Sequence, residues 1–572
     1  MAGPVHYEVY VRKTPPAPWS LQMATEDRAQ AIQIAEDTLA DDRAAAVRVT
    51  KETLDPDTME FTSVTVLTRG APEIQRKRVV PEDQAGPRCS APHDLYTPQA
   101  RETIGRVLDD WLARNGVTAF ELLHRPDLAE KLEASGVELQ HAIQKIAVPE
   151  SQDVGQPVHD LMRHYQKLSD QVVERVVMAG RRNLFPCLQD HSIADLAHRM
   201  AGQPDRAFIM GGVVSGALKG LRGGRARLER LMDLADRAPP DGAPHAMVMV
   251  PIEQLLCEML GNRTSLADVL GPSLDQGASL AAVVRMVAPA EINALIARDP
   301  RLALQVPAVE GPAARLGTRL EAGQFPLLSA SLARMVLREL VGPRRLRPSD
   351  PAGEIDILRT LATALTITAG RLLTLDEVQT AFNERSKAIV TADFVAAYVK
   401  PCTTVLCEAE ALTRLCENVT GAANKRSAAR WLSACVSSLR FESEMRTPSA
   451  SQTAAQKLGV LAGLQRAVRT CELSERDDAE INAIIGTVGG MVEAEARIVI
   501  MVARSPAPLV HKLSVLLRLA AGETAPLGPA ADRAKAEAVK LFRAPESRAV
   551  LSAAPETLAP LKGLMRAAGL AA

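Results

Sequence analysis

Proline sets the first limit on what this chain can form. Between Pro351 and Pro506 only Pro401 and Pro448 interrupt the sequence, whereas most of the 37 prolines lie in the first 351 residues. Proline lacks the amide hydrogen that a helix needs, and its ring clashes with the preceding turn. A stretch this poor in proline is therefore where long helices can run.

Within it, apolar residues recur at helical spacing. Ile355, Leu358, Leu361 and Leu365 make one stripe to bury. Thr374 and Glu377 have capping-box spacing, in which hydroxyl and carboxylate each satisfy an amide left open at a helix start. Further stripes run through Phe394, Val395 and Tyr398, then through Val405, Ala409, Leu412 and Cys416 up to a stop at Gly421. The next helix carries Trp431, Leu432, Val436 and Leu439. Farther on, Gly489 and Gly490 predict a break or kink, and the apolar run Ile498 to Val502 is far too short to span a membrane. Short connections favour antiparallel packing, so the stretch from Ala352 to Arg446 is the centre of an all-helical body.

The chain of 572 residues exceeds the size at which one core keeps growing, and about two to four domains are expected. A charged fraction of 24% beside 47% hydrophobic residues argues against wholesale disorder. Aromatics at 3% leave few platforms for stacking bases or sugars. With 67 basic and 68 acidic residues, no global field draws the chain to nucleic acid or to anionic lipid. The eight cysteines lack a dense disulfide spacing, which fits reduced thiols. Residues 1–12 have no secretory pattern, and no segment approaches 18 continuous apolar residues. These features predict a soluble, cytoplasmic chain with no membrane contact. The excess of arginine over lysine and the abundance of alanine suit a bacterial genome rich in G and C.

The N-terminal 70 residues differ in pattern. Val5, Tyr7, Val9 and Val11 alternate with His6, Glu8, Tyr10 and Arg12, as in a half-buried strand. After a turn at Pro15, Pro16 and Pro18, a helix is expected from Thr25 to Leu39. Two strands, around 45–51 and 60–68, should follow, joined by a hairpin at Asp55, Pro56 and Asp57. A βαββ unit of this size is marginal alone, so it serves either as a partner-binding module or as an appendage of the body.

The fold expected is mainly α: a small N-terminal βαββ (α+β) domain at 1–70, a linker at 71–98 and a large multi-helical body. The body should comprise a helical domain at 99–200, a Gly/Pro-punctuated region of short helices at 201–351, a core helical domain at 352–525 and short C-terminal helices at 526–572. It would pack as a bundle or as an irregular α-solenoid.

Chemistry-bearing residues are sparse. On one continuous helix His191, Asp195 and His198 would share a face suited to a divalent metal, but Ser192 and Asp195 also have capping-box spacing, which would put His191 outside the helix. His159 and Asp160, near His141 and His164, form a His-Asp pair that faintly resembles the metal-binding pair of helical phosphohydrolases; the likeness is two letters long and assigns no further ligand. Lys425, Arg426 and Arg430 lie near a helix start, where open amides could hold an anion. Cys402, Cys407 and Cys416 lack a metal-knuckle spacing and read as small core residues, with redox sensing by one of them as the alternative. Gly211, Gly212, Gly216 and Lys219 do not make a phosphate loop, because Ala217 stands where its lysine belongs. Tight helix packing explains those glycines better.

No catalytic motif stands out and no cofactor is expected. The expectation is a cytoplasmic protein-binding scaffold or regulatory adaptor without catalytic activity, holding protein partners and able to self-associate. The alternatives are a metal-dependent phosphohydrolase of a small phosphorylated substrate, or an RNA- or DNA-associated regulator.

Overall fold

Residues 5–13, 19–41, 44–54, 61–71, 88–271, 273–447, 452–545, 547 and 559–570 are described by a computed structural model. The chain divides into two compact units, Met1–Cys89 and Ser90–Ala572.

In the first unit, strands β1 (Val5–Arg12), β2 (Ser20–Thr25), β3 (Ala46–Leu54) and β4 (Phe61–Gly70) form an antiparallel sheet in the order β2-β1-β3-β4. Val9, Val11, Val47 and Val49 bury against Ala31 and Ala35 of helix α1 (Arg28–Ala40). Strand β2 is absent from the expected βαββ order. Its sequence, SLQMAT, is exposed or half-exposed throughout, so no buried alternation marks it. Because Thr25 ends that strand, the helix cap falls instead on Asp27, whose carboxylate accepts from the amides of Ala29 and Gln30. On the other face, Tyr10 Oη donates to Glu8 Oε2 at 2.5 Å, and the guanidinium groups of Arg12 and Arg48 lie 4.7 and 4.9 Å from the Trp19 ring. The expected turns at Pro15–Pro18 and Asp55–Asp57, and positions 72–87 of the expected linker, lie outside the described residues.

The second unit is helical. It begins with α2 (Pro98–Val107), α3 (Asp109–Asn115), α4 (Ala119–Leu122), α5 (Pro126–Ser135), α6 (Val137–Val154) and α7 (Val158–Arg181). Nine more follow among the described residues: α8 (Ile193–Met200), α9 (Arg206–Gly216), α10 (Gly224–Asp236), α11 (Gly242–Gly261), α12 (Arg263–Leu270), α13 (Gln276–Val287), α14 (Pro289–Arg298), α15 (Pro312–Glu321) and α16 (Pro326–Val341); most are short as expected, but α11 runs for 20 residues through Pro251 and α16 for 16. One apolar core extends from Phe120 to Ala568, and a smaller one around Trp111, Leu112 and Leu132 lies beside it. Among the described residues no single helix is long and apolar enough to cross a membrane.

From residue 351 the helices recur as two longer ones and a short one. The first set is α17 (Pro351–Ile367), α18 (Leu375–Ile389) and α19 (Ala392–Val399); the second is α20 (Val405–Asn418), α21 (Ala422–Val436) and α22 (Leu439–Arg446). The third is α23 (Ala454–Arg469), α24 (Glu475–Ala496) and α25 (Ile498–Arg504), and α26 (Leu509–Ala520) with α27 (Pro529–Arg543) begins a fourth. The two long helices of each set pack together, and α18, α21, α24 and α27 pack in succession down the array. This neighbour-on-neighbour stacking is solenoid geometry. Within the first set, buried Arg385 of α18 pairs with buried Glu354 of α17 at 2.7 Å and donates to the carbonyls of Gly342 and Arg344, closing the loop before α17.

The Thr374–Glu377 capping box forms as its spacing predicts. Three local expectations are corrected. Gly421 does not end α20 but caps the start of α21 with φ +87°. Leu439 belongs to α22 and is 83% exposed, because two caps, Ser437 and Ser438, separate it from α21. Helix α24 runs unbroken through Gly489 and Gly490. Their missing Cβ atoms admit the loop after α26: a Cβ on Gly489 would stand 2.2 Å from Pro526 Cγ, and one on Gly490 2.8 Å from Pro529 Cβ.

Candidate interaction surface

The histidine candidates are placed first by their helix starts. Ser192 caps α8, accepting from the Asp195 amide at 3.1 Å and donating to Asp195 Oδ2 at 2.6 Å. His191 therefore precedes the helix while His198 lies in its last turn, and the shared His191–Asp195–His198 face does not form. His159 and Asp160 are exposed on the first turn of α7, with Asp160 Oδ1 3.8 Å from Arg163. Among the described residues, no group of three or more His, Cys, Asp or Glu side chains comes together as a metal would require.

The basic candidates separate in a similar way. Lys425 Nζ donates to the Cys416 carbonyl at 3.0 Å and to that of Cys471, closing the ends of α20 and α23. Its neighbour Asn424 donates to the carbonyls of Thr420 and Asn383. Arg426 and Arg430 are exposed on α21, so the ammonium they would work with is already engaged.

Gly211 and Gly212 serve helix packing. A Cβ on Gly211 would meet the His124 ring at 2.5 Å, and one on Gly212 the Phe185 ring at 2.1 Å. His124 is held by Nδ1–H donation to the Phe120 carbonyl at 2.8 Å and stacks on the Phe120 ring at 4.1 Å. Burial pushes its imidazole down to about 4. Such a histidine is a neutral packing group. Nearby, a cavity of about 400 Å³ is lined by Arg175, Arg182, Asp205 and Phe208. Arg175 pairs with Asp205 at 3.0 Å and covers the Phe208 ring at 4.2 Å, so its charge is met within the fold.

Exposed apolar side chains occur singly along the described chain, Leu304, Leu439 and Val137 among them; two adjacent in sequence lie toward the C-terminal end of the array. Helix α25 buries Val499 but leaves Ile500 47% and Met501 65% exposed. Arg504 shares their side of the helix at i+4 and i+3, and Arg497 is exposed at its start. Among the described residues neither arginine has a carboxylate partner. No protein-family model, curated protein or solved structure matches this chain. Helix α26, which packs on α25, also borders a groove of about 400 Å³ shared with the helix Ala559–Ala567 and lined by Val510, Ser514, Arg518, Glu523, Leu561 and Leu564. Apolar walls with a few polar groups at the rim suit a peptide side chain. The sequence carries the signal for this surface, because Ile500, Met501 and Arg504 recur at helical spacing. The short length of the run conceals which side the core takes.

Proposed function

We propose that this chain is a protein-binding scaffold, and that α25 docks an acidic amphipathic segment of a partner protein. The observation that carries this is the face of Ile500 and Met501 flanked by the uncompensated Arg497 and Arg504. Apolar side chains flanked by cations match a segment that offers apolar anchors and carboxylates at helical spacing. Methionine adapts its shape to such a surface. Burying Ile500 and Met501 contributes a few kcal/mol at roughly 25 cal/mol per Å². A specific interface needs more, on the order of 1,000 Å² in all, so α25 is the anchor of a footprint that extends onto the α26 groove.

Stacked helix sets support the same reading, since such arrays present long continuous surfaces. All eight cysteines are free thiols, which supports a cytoplasmic setting. The role is that of an adaptor without a chemical step of its own.

The test is affinity capture from the native cell with the wild-type chain, the double variant Ile500→Glu/Met501→Glu and the control Leu439→Glu. A stoichiometric protein retained by wild type and control but lost from the double variant is the expected result. Equal capture by all three chains would refute the assignment to α25.

A further inference from the structure

Cys402 and Cys407 sit on the two sides of the corner between α19 and α20. Pro401 forces the turn, the Cys402 amide donates to the Val399 carbonyl at 2.9 Å, and Thr404 caps α20 by accepting from the Cys407 amide at 3.1 Å. This folding-back places the two sulfur atoms 2.9 Å apart, both as half-buried free thiols. A disulfide needs about 2.05 Å between sulfurs, so bonding asks for a movement of less than about 1 Å. Of the six other cysteines, Cys416 and Cys471 are buried in the core, Cys187 is exposed in a loop, and Cys89, Cys257 and Cys435 are half-buried.

We propose that Cys402 and Cys407 are a reversible peroxide-sensitive modification site that closes to an intrachain disulfide. Cys407 lies in the first turn of α20 and is the attacking sulfur, reacting as its thiolate. Cys402 is the resolving thiol, held protonated by burial and by its contact with Cys407. The Cys407 thiolate attacks one oxygen of hydrogen peroxide; the O–O bond breaks, water leaves after taking up a proton, and Cys407 becomes a sulfenic acid. Cys402 sulfur then attacks Cys407 sulfur, the S–O bond breaks, and a second water carries off the Cys402 proton. Two thiols and one peroxide give one disulfide and two waters. A dithiol reductant returns the pair to its starting state by exchange.

The sequence supplies a direct readout. Trypsin spares Lys400 because Pro401 follows it, so a single peptide, residues 388–414, carries Cys402 and Cys407 and no other cysteine. The full chain is treated with hydrogen peroxide, alkylated without reduction and digested. The expected result is that this peptide loses two hydrogens, takes no alkylating group, and regains two alkylation sites after treatment with dithiothreitol. In Cys402→Ser, Cys407 should persist as a sulfenic acid that a dimedone probe captures. Full alkylation of both cysteines after peroxide, with Cys187 oxidised in the same sample, would overturn the proposal. So would crosslinking of either cysteine to a second chain.

Discussion

Lys457 and Lys512 hold the same place in successive helix sets. Each is the fourth residue of the first helix of its set, and each donates its ammonium to the end of the short helix before it. Lys457 Nζ reaches the carbonyls of Glu444 and Thr447 at 2.8 and 2.6 Å; Lys512 Nζ reaches that of Ala503 at 3.2 Å. A cation at these orphan carbonyls satisfies the helix end and its dipole together. Lys457 is buried whereas Lys512 is half-buried, so the two are expected to differ in weight.

Lys457→Met keeps the length of the side chain and removes both bonds. It should lower stability by about 2–3 kcal/mol, and Lys512→Met by less than about 1 kcal/mol. Urea denaturation midpoints at constant slope give the comparison. Equal losses would mean that the capping of α22 and α25 is not what fixes these sets.

Glycine in α24 makes a sharper contrast. Gly489→Ala places a methyl group against Pro526 and should destabilise by about 1–3 kcal/mol through overpacking. Gly459→Ala in α23 meets open space and should stabilise by roughly 0.5–1 kcal/mol, the ordinary gain of alanine over glycine in a helix. Thermal unfolding of the two variants beside the wild type checks both signs at once.

His124 predicts a pH dependence of stability. Its folded value of about 4 lies below the ordinary 6.5, and burial is the main cause. Above pH 6.5 both states are neutral and the histidine adds no slope. Between 6.5 and about 4 the unfolded chain takes up a proton that the folded one refuses, so stability falls as pH falls, by roughly 3 kcal/mol across the window. His124→Phe fills the same space over Gly211 at the cost of one hydrogen bond. The difference between wild-type and variant stability, followed from pH 7 to 4, should therefore shrink. A constant difference would place the imidazole in solvent.

Helical spacing made much of the body readable, and so did the Thr374–Glu377 box, because both arise within one or two turns of chain. Strand β2 was not readable, since an edge strand with no buried face leaves no period in its side chains. The Gly489–Gly490 pair was misread for a related reason. Glycine weakens a helix locally, yet here it serves Pro526 and Pro529, which are remote in sequence. Lys425 shows the same limit at a site: its charge suggested an anion, while the carbonyls it closes come from α20 and from beyond α23. The recurrence of Lys457 and Lys512 emerges only once the helix starts are aligned in space.

On α25, Ile500→Glu/Met501→Glu replaces solvent-exposed groups and should leave the unfolding free energy within about 0.5 kcal/mol of wild type. Circular dichroism with denaturant titration separates lost docking from lost folding.

The central claim is that α25 faces another protein. Its most direct test is a photo-reactive benzoylphenylalanine at position 501, with the same group at 439 as the reference, irradiated in the native cell. The account predicts a discrete crosslinked partner at 501, absent at 439, with the attachment mapping to an acidic amphipathic segment of that partner. Crosslinks at 501 that fall only within this chain, or that match those at 439, would contradict it.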